Sequence, residues 1–323
     1  MRYSVIILIT RMIENSSRGS GITTRMASNL TRREALLALG ASAAPVRAVA
    51  AIARPVESHV HLFDPDRFPY APDAPYKPAA YRLEEHLRLV ESAGLAHSII
   101  VHPEPYQDDH RYVEYCLAHE PRPGYFKATC MFDPLKTDTP SRMRELADRW
   151  PKRIVALRIH EMSMTPENSG PIRNRDMNDP RMAACWRAVA SLGMAIQMHF
   201  IPGRAPAIRR LATQFSDTAV ILDHMGRPGQ GTAAEYDEVL KLAALPRVIL
   251  KYSGWEYYKG DMAVLTRRLY ETFGPDRMIW GMLGTTLAEY RKQSVRFDEL
   301  LAFASESDRT KIRGGNAQRL FFS

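Results

Sequence analysis

From residue 55 onward, short apolar or β-branched runs alternate with stretches of helical period, and eight such pairs follow one another along the chain. The strand candidates are 55–62, 97–102, 126–132, 154–160, 195–200, 219–224, 248–254 and 278–283. Helices are expected over 83–93, 109–119, 140–150, 180–192, 205–215, 233–243, 261–273 and 294–305. Every crossover is long enough for a right-handed βαβ connection. Eight units in roughly 270 residues predict an α/β protein of the (β/α)8 TIM-barrel type, which is usually about that long. A doubly wound open sheet is the alternative, but it would normally carry a glycine-rich turn after its first strand. The run Glu57 to Pro65, ESHVHLFDP, has no glycine. Two long loops, 161–178 and the aromatic GWEYYKGD of Gly254 to Asp261, are expected to rim the barrel mouth.

The net charge of +8 raises the question of nucleic acid, and its distribution answers it. Residues 1–54 hold eight arginines against Glu14 and Glu34, a net of +6, which leaves 36 basic and 34 acidic residues for the remainder. Basicity concentrated at one end of the chain gives no nucleic-acid footprint on the folded part. The same end reads as a targeting segment. Arg32 and Arg33 precede an Ala-rich run ending in Ala48-Val49-Ala50, which resembles a twin-arginine export signal, with Met26 placed where such a signal would begin. Residues 1–53 are therefore read as a removable leader to the periplasm, cleaved after Ala50 or Ala53, and 54–323 as the barrel. If that reading is wrong, the protein is cytoplasmic. No run approaches the roughly 20 apolar residues that stable membrane insertion requires. Cys116, Cys130 and Cys185 lack metal-type spacing and read as small buried hydrophobes.

Six of the ten histidines, His59, His61, His102, His160, His199 and His224, fall at or beside the C-terminal end of an expected strand. In a (β/α)8 barrel those ends converge on the active site. His59 and His61, two apart on a strand, project to the same face. Glu57, Asp133, Asp223, Arg158 and Lys251 add charge nearby. Trp255 is expected to pack its loop against the barrel, and Tyr257 to reach the pocket.

ESHVHLFDP, MFDP (Met131–Pro134), ALRIH (Ala156–His160), QMHF (Gln197–Phe200), DHMGRP (Asp223–Pro228), KYSG (Lys251–Gly254), DRMIWG (Asp276–Gly281) and GGNAQRLF (Gly314–Phe321) occur in the order seen in the amidohydrolase-2 family. The chain most resembles its branch of pyrone-dicarboxylate and sugar-acid lactonases. The resemblance implies a barrel of the metal-dependent-hydrolase type acting on a lactone or related cyclic ester of a small carboxylated or sugar-derived compound. It implies His224 in catalysis, and His59, His61 and His199 as ligands if zinc or another divalent metal is bound. Beside that, His199 and Asp223 are read as joining His224 in catalysis, with a neighbouring carboxylate orienting His224, and His59, His61, Arg158, His160 and Tyr257 as holding the substrate, with Arg158 gripping its carboxylate. Family members usually carry an aspartate after strand eight, where this chain has Leu283. Leucine neither ligates a cation nor accepts a proton. Three readings follow: a metal-free hydrolase with a histidine base, a zinc held by three histidines, or a barrel that only binds. Metal-dependent decarboxylation is the alternative chemistry. The glycines of GGNAQRLF are expected to shape a C-terminal turn.

Overall fold

The computed structural model describes residues 54–163, 172–281 and 284–323. Eight parallel strands follow one another around one sheet in sequence order. They are β1 (Val56–Val60), β2 (His97–Ile100), β3 (Phe126–Cys130), β4 (Ile154–Glu161), β5 (Ala195–Phe200), β6 (Val220–Leu222), β7 (Val248–Tyr252) and β8 (Met278–Trp280). Ser58 donates a hydrogen bond to the Trp280 carbonyl, and a Cβ on Gly281 would lie 2.9 Å from that of His59, so the last strand returns beside the first. This is the expected (β/α)8 barrel.

Helices α1 (Leu83–Ala93), α2 (Arg111–Ala118), α3 (Thr139–Arg149), α4 (Pro180–Ser191), α5 (Ala205–Gln214), α6 (Ala233–Lys241), α7 (Met262–Phe273) and α8 (Leu287–Leu300) follow the strands in turn. Among the described residues, no helix is long and apolar enough to cross a membrane. Helix α8 starts seven residues before its expected position. Thr286 accepts from the Glu289 amide at 3.2 Å while Glu289 accepts from the Thr286 amide at 3.0 Å. That capping box satisfies helix-end donors in a polar segment that apolar periodicity overlooks. The GGNAQRLF glycines also lie in helix: a π-helical turn over Lys311–Gly315 leads into Asn316–Phe321. A Cβ on Gly314 would meet the Arg54 carbonyl oxygen at 2.5 Å, so glycine there lets the C-terminal turn rest against the start of β1.

Strand alternation sorts the barrel into two interiors. Leu157, Ile159, Ile196, Met198, Val220, Leu222, Val248 and Leu250 join the large core shared with the helices. Their neighbours Ala156, Ala195, Ile221, Ile249 and Ile279 form a smaller apolar layer with the C-terminal helix. Two residues further along the same face stand Arg158, Gln197, Asp223 and Lys251, all buried. Above them come His160 and His199, which are register partners. The barrel is thus plugged by charge just where its strands end. The three cysteines are free and buried, packed as small hydrophobes.

Candidate active site

Asp223 is the electrostatic centre of this plug. It accepts from Arg158 Nε at 3.2 Å and from Gln197 Nε2 at 2.9 and 3.1 Å, while Lys251 Nζ lies 3.5 Å and His59 Nδ1 3.6 Å away. Burial alone would raise its pKa, but the Lys251 and Arg158 cations, with His59 beside the carboxylate, hold it well below the usual carboxylate range. The carboxylate is fully enclosed. Arg158 points inward, with its other contact, Nη2 to His199 Nδ1, at 3.0 Å. Its guanidinium is committed to the plug on both sides, which differs from the free carboxylate grip expected of it.

The histidines of β1 can be assigned tautomers from their partners. His61 Nδ1 lies 2.7 Å from the Val101 carbonyl, which can only accept, so that nitrogen carries the hydrogen and Nε2 is a lone pair in the neutral ring. His59 Nε2 faces this lone pair at 3.2 Å and therefore donates to it. His59 Nδ1 is then an acceptor, 3.3 Å from Lys251 Nζ. Burial pushes His61 down to about 3 and His59 well below its ordinary value, so both rings are neutral near pH 7. Lys251 is pushed down to about 8, again by burial, against the pull of Asp223.

His224 sits on a backbone of unusual shape. His224, Met225, Gly226 and Arg227 all have positive φ, 51°, 59°, 68° and 58°. For the non-glycine residues His224, Met225 and Arg227 this is a costly conformation. The surroundings hold it: Tyr236 of α6 donates to the Met225 carbonyl at 2.8 Å, and a Cβ on Gly226 would meet Val239 Cγ1 at 2.5 Å. Gly254 leaves room for the His224 ring, since a Cβ there would lie 3.0 Å from His224 Cβ. His224 Nδ1 is oriented by Ser253 Oγ at 3.0 Å, where a neighbouring carboxylate was expected. Burial, aided by Arg227, Arg158 and Lys251, pushes its pKa down to about 3 despite Asp223.

The same turn carries Arg227 to the mouth, a residue that the sequence reading quoted within DHMGRP and left without a role. Its Nη2 stands against His199 Nε2 and its guanidinium lies 5.0 Å over the Tyr257 ring. His199 meets arginine at both ring nitrogens, yet a neutral imidazole has one lone pair. Arg158 takes it at Nδ1, which leaves Arg227 facing a nitrogen that carries a proton. Arg227 Nε is buried without a hydrogen-bond partner among the described residues. Burial lowers its pKa, which marks the charge as poorly compensated.

Ring contacts join five of the six strand-end histidines. His59 lies 4.8 Å from both His61 and His224, His199 lies 5.4 Å from His224, and His160 lies 4.6 Å from His199. Both ring nitrogens of His160 are buried and lack a hydrogen-bond partner among the described residues, with Glu104 Oε1 at 3.6 Å from Nδ1. His102 does not join them: its Nε2 donates to the Gln107 carbonyl at 2.8 Å and its ring packs on His110 and Tyr106. Tyr257 is half-exposed, 6.1 Å from His224, and Trp255 packs on Tyr252 at 5.0 Å as expected. A cavity of about 140 Å³ opens beside His59 and His61, bounded by Phe63, Gly284 and Thr285. Leu283 and residues 164–171 of the long insertion lie outside the described residues. The rest of that insertion is tied down, Arg173 to Glu104 and Arg175 to Asp133 at 2.7 Å. Asp133 thus serves the insertion and not the histidines.

The metal implied by the resemblance does not fit this donor set. His61 Nε2 is occupied by the His59 N–H, and His199 is flanked by two guanidinium groups. Among the described residues the donors that do converge are His59, Asp223 and His224, whose ligand atoms lie within 4.8 Å of one another. The Lys251 ammonium reaches two of those three.

Comparison with known proteins shows the family and the fold. A family model described as Amidohydrolase matches residues 56–322. The 4-sulfomuconolactone hydrolase of Rhizobium radiobacter is 26% identical over 237 residues, 70% of this chain and 73% of that protein. Among solved structures, a probable 2-pyrone-4,6-dicarboxylic acid hydrolase from Acinetobacter baumannii with bound citric acid superposes with a TM-score of 0.69 at 18% identity, covering 84% of this chain and 100% of that one. An amidohydrolase from Burkholderia multivorans with bound zinc gives 0.65 at 18% identity, over 84% and 99%. At these identities the solved structures speak for the fold alone.

Proposed function

The chain belongs to the amidohydrolase family, and from that premise we propose that it hydrolyses a lactone or related cyclic ester bearing a carboxylate or similar anionic group. The observation that carries the reading is the state of Arg227: a half-buried guanidinium at the mouth, its Nε enclosed and without a hydrogen-bond partner among the described residues, and its Nη2 against the ring nitrogen of His199 opposite the one that Arg158 contacts. Such a group lacks an anion. A planar carboxylate or sulfonate supplies two acceptor oxygens in the geometry that guanidinium prefers. The relative from Rhizobium radiobacter is named for a lactone that carries an anionic group of this kind.

The remaining residues suit ester hydrolysis. Tyr257 offers a ring beside Arg227 on which a flat lactone can stack. His160, with both nitrogens unpartnered, and His199, with its outer N–H, offer hydrogen bonds to the substrate's oxygens. His224, neutral and oriented by Ser253, takes the proton of the attacking water and returns it to the leaving alkoxide. In the empty site His224 is a weak base because it is buried, and the cations Arg227, Arg158 and Lys251 weaken it further. A substrate anion that neutralises Arg227 removes one of those cations and raises the basicity of His224. Binding and activation are thereby linked, and a water meets a competent base only with substrate in place.

Asp223, Arg158, Gln197 and Lys251 act as the fixed floor of the site and not as reacting groups. Export through the leader of residues 1–53, and with it a periplasmic place of work, belongs to the same proposal. The reading is tested by assaying a panel of lactones with and without a carboxylate: turnover confined to the anionic ones is expected, and turnover indifferent to the anion would remove Arg227 from its role.

A further inference from the structure

The convergent donors His59, Asp223 and His224 have the composition of a divalent-metal site, yet a lysine reaches into them from the neighbouring strand. We propose that Lys251 is a built-in cation, whose ammonium occupies the position between His59 and Asp223 that a divalent metal ion would need and so closes this cluster to metals. Leu222 and Leu250 are register partners on β6 and β7, so the next inward residues, Asp223 and Lys251, are brought side by side by the sheet itself. Lys251 Nζ lies 3.5 Å from Asp223 Oδ1 and 3.3 Å from His59 Nδ1, and the side chain is wholly buried.

Two consequences follow from elementary chemistry. A metal ion binds a histidine through a lone pair, and His59 has none to give while Lys251 is present, since Nδ1 accepts from the ammonium and Nε2 donates to His61. A fixed positive charge a few ångströms from the ligand atoms also repels a second, divalent one in a low-dielectric interior. Lys251 therefore does three things at once. It balances Asp223, donates to His59 Nδ1, and so favours from its own end the same tautomers that the Val101 carbonyl sets from the other. In this arrangement the His-x-His pair is a directional hydrogen-bond chain from Lys251 to the Val101 carbonyl, and Lys251 is a positioning residue for the floor of the site. The inference needs no substrate, so it can fail while the lactonase reading stands, and the reverse.

The test is a cobalt(II) titration of the purified full chain, read by visible absorption of histidine-bound cobalt, for wild type and Lys251→Met. Wild type is expected to show no saturable band. Lys251→Met is expected to bind stoichiometrically, tighter by on the order of 100-fold, the upper range for altering one partner of a ligand set, and to lose the band when Asp223→Asn is added. Saturable cobalt binding by the wild type, or a folded Lys251→Met that binds no better than wild type, would overturn the proposal. Should Lys251→Met not fold, nitrogen-15 NMR of histidine-labelled wild type decides. Protons on His59 Nε2 and His61 Nδ1 support the chain, and protons on the opposite nitrogens refute it.

Discussion

Arg158 and Arg227 meet the two ring nitrogens of a single histidine, His199, although that ring can accept from only one of them. Arg158 is the bound partner because it is also held by Asp223 at 3.2 Å. Arg227, at the outer side, is the arginine with a charge to spare. Replacing Arg227 with Gln should raise KM for an anionic lactone by about 30-fold or more, corresponding to about 2 kcal/mol or more for one side of a buried charge pair. Its stability should change little, and steady-state kinetics together with a melting curve will show whether the loss is confined to binding.

His224→Asn should lower kcat by about 10²- to 10⁴-fold with a smaller effect on KM, the usual range for removing a general base. Ser253→Ala, which removes only the hydroxyl that orients the ring at 3.0 Å, should cost about 1 kcal/mol, or roughly fivefold in kcat. A His224→Asn variant with full turnover would take His224 out of the mechanism.

Acid should unfold the barrel early. His61, His86 and His224 are pushed by burial to about 3, and His102 to about 4, from an ordinary value of 6.5. Between those values the unfolded chain binds more protons than the folded one, so stability is fully present above pH 6.5 and is lost as pH falls toward 3. The depressed carboxylate of Asp223 adds to the loss below about pH 3.8, the ordinary value from which it is lowered. Melting temperatures measured between pH 7 and 4 should fall steadily, and a flat profile would contradict the buried neutral histidines.

Turnover should survive exhaustive chelation. Because the metal-type cluster is shared with Lys251, dialysis against a strong chelator is expected to leave kcat within about twofold, less than half a kcal/mol. Loss of activity restored by zinc would return the His59, His61 and His199 ligand set.

Expression of the whole gene in a host with a twin-arginine pathway should give an exported protein that begins at Ala51 or Arg54. N-terminal sequencing that finds Met1 or Met26 on the exported protein would remove the leader from the account.

The barrel was legible because each strand alternates large apolar residues against the helices with a second set pointing inward, and that pattern survives in one dimension. The convergence of His59, His61, His160, His199 and His224 was legible for the same reason, since each sits at a strand end. Arg227 was not, because its position depends on four consecutive left-handed residues, and no local propensity announces His224 and Met225 in that conformation. Nor was the orientation of His224, since Ser253 follows the adjacent strand β7 and is 29 residues away in sequence, whereas Asp223 is its neighbour in the chain. The enclosure of Asp223 also required three strands to be seen together, as Arg158, Gln197 and Lys251 each look unremarkable alone. The early start of α8 was written in Thr286 and Glu289, but as a cap and not as apolar period.

The most direct measurement is a turnover assay of metal-depleted protein on matched lactones that differ only in a ring carboxylate or sulfonate. The account predicts hydrolysis of the anionic member, weak or no hydrolysis of the neutral one, and loss of the difference in Arg227→Gln. Binding of the anionic lactone without turnover would contradict it and leave a barrel that holds its ligand and does not react.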